Sequence, residues 1–158
     1  MANIYDAIKA DHDNHRSLLQ TIGETQGDSE ERRKAWEDFY YDVKSHAAAE
    51  EETFYSHLMA NPKGQDDARH SVSEHKELDD LMEELNTKDM SSPGWLEKFK
   101  QLRHDYEHHI DEEEEDIFAK AKEVFSEEEA QEFAPKFEER KKAELKLVDK
   151  KSEDSLEE

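Results

Sequence analysis

Cysteine is absent from this 158-residue sequence, and glycine and proline are rare. The absence of cysteine excludes disulfide bridges and metal sites with thiolate ligands. Because there are only four glycines and three prolines, few positions force a helix to end, which indicates long helices. Neither a long apolar run nor a basic segment occurs near the start. We therefore expect no signal peptide, no membrane-spanning helix and a cytoplasmic location.

Positive charge is also scarce. The chain has 22 Lys and Arg against 44 Asp and Glu, which gives a formal net charge of -22. Because so acidic a protein repels phosphate groups, we expect neither a nucleic-acid partner nor binding to an anionic membrane. Apolar residues make up 33% of the chain, enough for one modest core, and the length favours a single domain.

Three short segments rich in Gly, Pro, Asn and Ser interrupt the first 123 residues. They lie at residues 23–29, 61–64 and 88–94 and read as loops. Each of the four segments that they delimit carries apolar residues at helical spacing, and none shows sustained strand alternation. Four amphipathic helices with short connections predict an all-α, up-down-up-down four-helix bundle over residues 1–123.

A fifth helix is predicted after the bundle. Ser126 and Glu129 form a capping-box pattern, and Pro135 predicts a kink or a restart within that helix. We therefore expect three parts: a bundle over 1–123, a C-terminal helical extension over 124–151, and a disordered acidic tail over 152–158. The apolar residues of the extension could fold back on the bundle or form a contact with another molecule, so the oligomeric state stays open.

Polar residues interrupt the apolar face of every helix of the predicted bundle. The residues at these positions are His12, His46, Glu50, His75, His109 and Glu113. At about 1.5 Å of rise per residue, antiparallel helices place such groups at a similar height along the bundle. Burying several imidazoles and carboxylates is costly unless a partner satisfies them. A metal pair would satisfy them, because carboxylates can bridge two cations while imidazoles bind each one.

His15 can be interpreted in two ways. It follows His12 by three residues and shares the inner face of the first helix, about 4.5 Å further along the axis. It is either an additional histidine ligand or a residue that hydrogen-bonds a ligand or lines the access route to the metal.

Other histidines and glutamates lie off the apolar faces. His104 and His108 are about 100° away from the apolar face of their helix, and we expect them at the surface together with His70. Glu51 and Glu114 are also about 100° away from the inner face, so we expect their replacement to matter little.

The segments "ADHDNHRSLL", "HAAAEEETFY", "EHKEL" and "HHIDEEEEDIF" together resemble the hemerythrin-like, HHE cation-binding domain family, over about residues 3 to 122. The resemblance implies that the six interrupting residues named above bind a non-haem di-iron centre with bridging carboxylates and a bridging oxo or hydroxo group. In such a His and carboxylate site, Zn or Mn could replace Fe.

The function that the resemblance implies is binding of, or reaction with, a small ligand such as oxygen, nitric oxide or peroxide. Whether the protein is an enzyme stays open, with catalase- or peroxidase-like chemistry as the form it would take. One alternative is an iron-binding sensor or store, in which metal occupancy sets the stability of the bundle. Another is a metal-free interaction module that uses its acidic surface.

The sequence departs from the pattern of the oxygen-carrying members at two points. Those proteins have two histidines one turn apart on the third helix, whereas Ser71 and Asp79 lie one turn before and one turn after His75. They also have an aspartate five residues after the last histidine, where this chain has Glu113 four residues after His109. These departures favour the broader HHE group over simple reversible oxygen carriage.

Overall fold

The computed structural model describes the backbone of residues 2–157 and the side chains of residues 2–147. The helices are α1 (Ile4–Glu24), α2 (Glu30–Glu50), α3 (Ser56–Met59), α4 (Gln65–Thr87), α5 (Pro93–Glu112), α6 (Phe118–Val124) and α7 (Glu127–Glu157). The four long segments of the bundle are formed by α1, by α2 together with α3, by α4, and by α5 together with α6. This arrangement confirms the predicted architecture with an additional C-terminal helix. Within residues 2–157, no helix is both long and apolar enough to cross a membrane.

Side-chain caps determine where the long helices begin. Asn3 forms a capping box at the start of α1, and Ser29 and Ser92 accept backbone N–H groups at the starts of α2 and α5. Ser126 and Glu129 each accept the other's backbone N–H group at the start of α7, as the sequence predicted. These caps satisfy donors that the first turn of a helix leaves without a partner.

Two apolar clusters fill the bundle on either side of a polar layer. Along α1, the first cluster contains Ile4 and Ile8, the second contains Leu19 and Ile22, and the histidines of α1 lie between them. Both clusters contain large buried aromatic residues, among them Phe54, Phe118, Phe133 and Phe137 in the first, and Trp36, Phe39, Trp95 and Phe99 in the second. The polar layer is therefore closed off by apolar packing at both ends.

Two π-helical turns interrupt the α-helical rods at the level of this layer. They span Glu51–Tyr55 between α2 and α3, and Glu113–Ile117 between α5 and α6. In each turn, a backbone N–H bonds the carbonyl five residues earlier, Ser56 to Glu51 and Phe118 to Glu113. Such turns insert one extra residue into an α-helix and are frequent at functional sites.

The C-terminal helix α7 folds back on the bundle and packs against α1 and α2. Phe133 and Phe137 are buried in the first apolar cluster. The helix runs without interruption through Pro135, and its backbone includes most of the segment 152–158 that was expected to be disordered. The division of the chain into bundle, extension and tail stays a prediction.

Candidate metal centre

The six residues that interrupt the apolar faces come together in the polar layer of the bundle. They form two groups, each with ligand atoms within 4.8 Å of one another: His12, His46, Glu50 and Glu113 in one, and His75, His109, Glu50 and Glu113 in the other. Five of the six are at most 3% exposed, and the sixth, His75, is 10% exposed. Both glutamates belong to both groups, which is the arrangement that two neighbouring cations with shared carboxylates require.

The four histidines turn their Nε2 atoms toward the two carboxylates. The distances from Nε2 to the nearer carboxylate oxygen are 3.2 Å for His12–Glu113, 3.2 Å for His46–Glu50, 3.1 Å for His75–Glu50 and 3.5 Å for His109–Glu113. Among the described residues, nothing forms a hydrogen bond of good geometry with Nε2 of His46, with either oxygen of Glu50, or with Oε1 of Glu113. Buried polar atoms without hydrogen bonds are costly, so this donor set fits metal ions as its missing partner.

A second set of carboxylates holds the Nδ1 atoms of the same histidines. The pairs are Asp11–His46 at 2.7 Å, Glu51–His75 at 3.3 Å, Glu74–His109 at 2.9 Å and Glu114–His12 at 2.9 Å. A carboxylate that accepts the Nδ1–H group places the proton there and leaves the Nε2 lone pair free to bind a metal. Each histidine is thus oriented toward the centre before any ion arrives.

These outer carboxylates form a ring around the bundle. Each one is the sequence neighbour of a residue in the centre, yet it contacts the histidine of the next helix. A residue of α1 contacts the histidine of α2, one of the first π turn that of α4, one of α4 that of α5, and one of the second π turn that of α1. We refer to Asp11, Glu51, Glu74 and Glu114 as the carboxylate ring. The expectation that Glu51 and Glu114 would matter little is corrected here, because an acidic residue about 100° off the inner face reaches the neighbouring helix.

His15 lies outside both groups. Its Nε2 is 2.5 Å from Oδ2 of Asp42, and its Nδ1 is 2.6 Å from the hydroxyl of Tyr106. Burial lowers the pKa of His15 to about 4 although Asp42 acts in the opposite direction. A neutral ring that donates to Asp42 and accepts from Tyr106 has no lone pair left for a metal. The geometry therefore favours the interpretation of His15 as a supporting residue rather than an additional ligand.

Tyr55 contacts the centre and was not identified from the sequence. Its hydroxyl donates to Oε2 of Glu113 and accepts a hydrogen bond from Oγ of Ser71 at 2.7 Å. Burial, followed by the charge of Glu113, raises the pKa of Tyr55 well above its usual range. Ser71, one turn before His75, thus supports a protonated phenol beside the carboxylate that both groups share.

Electrostatics couple the histidines tightly to the carboxylates. Burial alone would lower the pKa of His46, but Glu50 and Asp11 raise it to about 10. Burial would also lower the pKa of His75, and its contacts with Glu50 and Glu51 raise it to about 10. Burial would raise the pKa of Glu50, but His46 holds it well below its usual range. Without a metal, protons on His46 and His75 thus balance the carboxylates, and a cation that binds must displace them.

A mostly apolar cavity of about 290 Å³ borders the centre between α2 and α4. Its lining includes all four histidines of the centre and apolar side chains of three helices, Val43, Val72, Leu78, Met82 and Ile110. Lys44, Lys76 and Asp79 also line it. The cavity thus gives a small molecule a route to the four histidines along a mostly apolar wall.

The C-terminal helix reaches the centre through Lys141. Its Nζ atom is 2.9 Å from Oδ1 of Asp11 and 2.9 Å from Oδ1 of Asp42, the carboxylates that hold His46 and His15. The ring of Phe137 packs edge-on against His46 at 5.4 Å between centroids. The sequence treats α7 as a separate extension, whereas the structure makes it one wall of the site.

A family model described as the hemerythrin HHE cation binding domain matches residues 3–121 of the chain. A crystal structure of a hemerythrin HHE cation binding domain-containing protein from Mycobacterium kansasii superposes with a TM-score of 0.83 at 26% sequence identity. That alignment covers 93% of this chain and 90% of the other chain. The helix that follows the matched residues, α7, is therefore covered at least in part by a solved relative.

Two curated relatives are each 28% identical to the chain. One is a DNA nickase from Nostoc sp., aligned over 135 residues that make up 85% of this chain but 38% of the nickase. The chain thus spans less than half the length of that protein. The other is the uncharacterized protein Rv2633c from Mycobacterium tuberculosis, aligned over 73% of this chain and 70% of that protein.

Proposed function

The chain belongs to the hemerythrin HHE cation-binding domain family, and from this premise we propose that it holds two iron ions and binds or reacts with a small ligand such as oxygen, nitric oxide or peroxide. In this proposal, one ion is held by His12 and His46, and the other by His75 and His109. Glu50 and Glu113, which belong to both groups, would be shared between the two ions. The observation that carries the proposal is the pair of overlapping His/Glu groups with buried carboxylate oxygens that lack hydrogen bonds in the described structure.

Iron suits this donor set, because imidazole nitrogens together with carboxylate oxygens bind first-row transition metals well, and Zn or Mn could replace it. A bound iron pair would supply electrons and open coordination positions for oxygen, nitric oxide or peroxide. Six side chains shared over two ions leave such positions, and the cavity beside the four histidines gives a small ligand a path to them.

The surrounding residues would control the reaction. The carboxylate ring keeps each Nε2 directed at its ion, and the two apolar clusters keep bulk water away from the centre. Tyr55, whose hydroxyl donates to Glu113, is the group best placed to hold a proton beside the bridging carboxylate. Catalase- or peroxidase-like chemistry would be the enzymatic form of this function. Because Ser71 supports Tyr55 where a histidine ligand of oxygen carriers would stand, simple reversible carriage is not part of the proposal.

The alternative is an iron-binding sensor or store, and the contact of Lys141 with the carboxylates behind His46 and His15 favours it. Through that contact, an ion bound by His46 would be coupled to the packing of α7. Occupancy of the centre would then set the stability of the whole bundle.

The nicking of DNA belongs to the Nostoc protein, most of whose length lies outside the match. The net charge of -22 opposes contact with phosphates, so we do not extend that activity to this chain and propose neither a nucleic-acid nor a membrane partner. A cytoplasmic location stays part of the same proposal.

Replacement of Glu50 by Gln tests the bridging role. The substitution keeps the shape of the side chain but removes its charge, so we expect fewer than two bound irons per chain and a changed optical spectrum. Glu37→Gln, at an exposed position of the same helix, is the control and should keep both ions. Two irons and an unchanged spectrum in Glu50→Gln would show that Glu50 does not bridge. Addition of oxygen, peroxide or nitric oxide to the ferrous protein would then separate ligand chemistry from storage.

A further inference from the structure

A second histidine and glutamate cluster lies on the outer face of the bundle, where α4 and α5 run side by side. His70 and Glu74 are four residues apart on α4, and His108 and Glu112 are four residues apart on α5. This is the spacing that His46 and Glu50 have in the buried centre, and it places both side chains of a pair on one helix face. We refer to these four residues as the outer cluster.

The side chains of the outer cluster already converge. Nε2 of His70 is 3.0 Å from Oε1 of Glu112 and 3.4 Å from Oε1 of Glu74. One ligand atom from each of these three residues lies within 4.8 Å of the others. Nε2 of His108 is 3.6 Å from the second oxygen of Glu112, which places a second imidazole beside the three converging residues but outside their group. Two imidazoles and two carboxylates form the type of ligand set that binds divalent transition metals.

Exposure distinguishes this cluster from the buried centre. The side chains of His70 and His108 are 54% and 70% exposed, while those of Glu74 and Glu112 are 20% and 25% exposed. An ion from solution could therefore reach the outer cluster directly. An ion pair between exposed groups contributes little to stability, so the stability of the bundle does not by itself require this arrangement.

Glu74 connects the outer cluster to the buried centre. Its Oε1 atom contacts both Nε2 of His70 and Nδ1 of His109, the latter at 2.9 Å. A cleft of about 210 Å³ opens on the same face, and its lining includes Glu77 and Asp105 together with His108 and His109. An ion that left the outer cluster would thus meet an acidic cleft whose lining includes a histidine of the centre.

We propose that the outer cluster is a separate site for a divalent transition-metal ion and that it passes ions to the buried centre. The site itself stands on the geometry of its own four side chains. The transfer of ions rests on the function proposed above, because it needs a buried centre that accepts metal. A proton shared between His70 and the two glutamates would compete with the metal ion for the outer cluster.

Titration of the chelated full-length protein with Co(II) tests the site, since Co(II) bound to histidine and carboxylate has visible absorption bands. We expect three bound ions per chain, one of them weaker than the other two. His70→Ala and Glu112→Gln should each weaken the third ion by at least about tenfold, because even the loss of a residue that only supports a ligand has an effect of that size. His104→Ala is the matched control, since His104 lies on α5 with its side chain 82% exposed and, among the side chains described, pairs with the neighbouring Asp105.

The possible results separate the two parts of the proposal. Two ions in the wild type, or three in both His70→Ala and Glu112→Gln, would overturn the outer site. A single bound ion in the wild type that is lost in His70→Ala would support the outer site and contradict the buried centre. For transfer, the rate at which the buried centre fills should fall several-fold in His70→Ala and stay unchanged in His104→Ala. Loss of the third ion with an unchanged filling rate would overturn the transfer role.

Discussion

Replacement of Lys141 by Met removes the positive charge that connects α7 to the centre. The Lys141 side chain is 13% exposed, and it contacts Asp11 and Asp42, which are 16% and 20% exposed. Methionine fills a similar volume, so the packing of α7 should persist. The carboxylates of Asp11 and Asp42, however, would lose the cation that contacts both of them. Each would still contact a buried histidine.

The size of the effect follows from the two contacts. A hydrogen bond to a charged group contributes about 1.5–3 kcal/mol when buried, and partial exposure reduces that contribution. We therefore expect a total loss of about 2–4 kcal/mol in the free energy of unfolding. For a chain of this size, that loss lowers the melting midpoint by roughly 4–16 °C. A weaker hold on His46 should also reduce the affinity of the ion at His12 and His46 by about 10–100-fold.

The loss should depend on pH with a definite sign. Burial raises the pKa of Asp11, but its contacts with His46 and Lys141 bring the value below the ordinary 3.8. Burial lowers the pKa of Lys141, but Asp11 and Asp42 bring it above the ordinary 10.5. The stabilisation that the charged Asp11 carboxylate contributes is present above pH 3.8 and is lost as the pH falls through the lowered pKa of Asp11. The lysine contribution is present below pH 10.5 and is lost as the pH rises through the raised value of Lys141. The difference between wild type and Lys141→Met should therefore be largest between these limits.

Thermal unfolding and metal titration measure the two effects separately. Lys142→Met, at an exposed neighbouring position, should behave as wild type, and Lys141→Arg should recover most of the stability because it keeps the charge. Of the two ions, the one at His75 and His109 should keep its affinity. A melting midpoint and two metal affinities equal to those of wild type in Lys141→Met would refute the view that α7 supports the centre.

Three further predictions concern the centre itself. Chelation should lower the melting midpoint, since metal at a hundredfold excess over its dissociation constant stabilises the fold by about 2.7 kcal/mol. Equal midpoints for the metal-loaded and the chelated protein would argue against a bound ion. His15→Ala should keep both irons but alter the kinetics with peroxide or oxygen, whereas loss of one iron would make His15 a ligand. Glu114→Gln should weaken the ion held by His12 by about 10–100-fold, as measured by metal titration, while the exposed Glu115→Gln should have no effect.

Local patterns in the sequence were sufficient to predict the architecture and to select six residues that the structure brings together, while their role as metal ligands stays a prediction. Apolar spacing identifies the helices, because the side-chain direction repeats along an α-helix whatever its neighbours are. His46 and Glu50, or His109 and Glu113, lie on one helix face for the same reason. The structure brings these residues together as expected, and the family match supports the fold from which the expectation came.

The two π turns correspond to a spacing that the sequence repeats. Phe54 and Ile117 each follow a histidine of the centre by eight residues, which in a regular α-helix would place them about 80° around the axis. One inserted residue restores the alignment to within about 20°. The repeated eight-residue offset is therefore a sequence signal for the two π turns.

Only the tertiary structure could decide which residues support the centre. The carboxylate ring joins side chains between 24 and 102 residues apart in the chain, and Lys141 is 130 residues from Asp11. From the sequence alone, an acidic residue next to a ligand is interpreted as solvent-exposed, because the histidine that it contacts belongs to another helix. Helical spacing specifies the face on which a side chain lies, but the packing of neighbouring helices decides what that face meets. That is why the histidines could be found from the sequence and the groups that orient them could not.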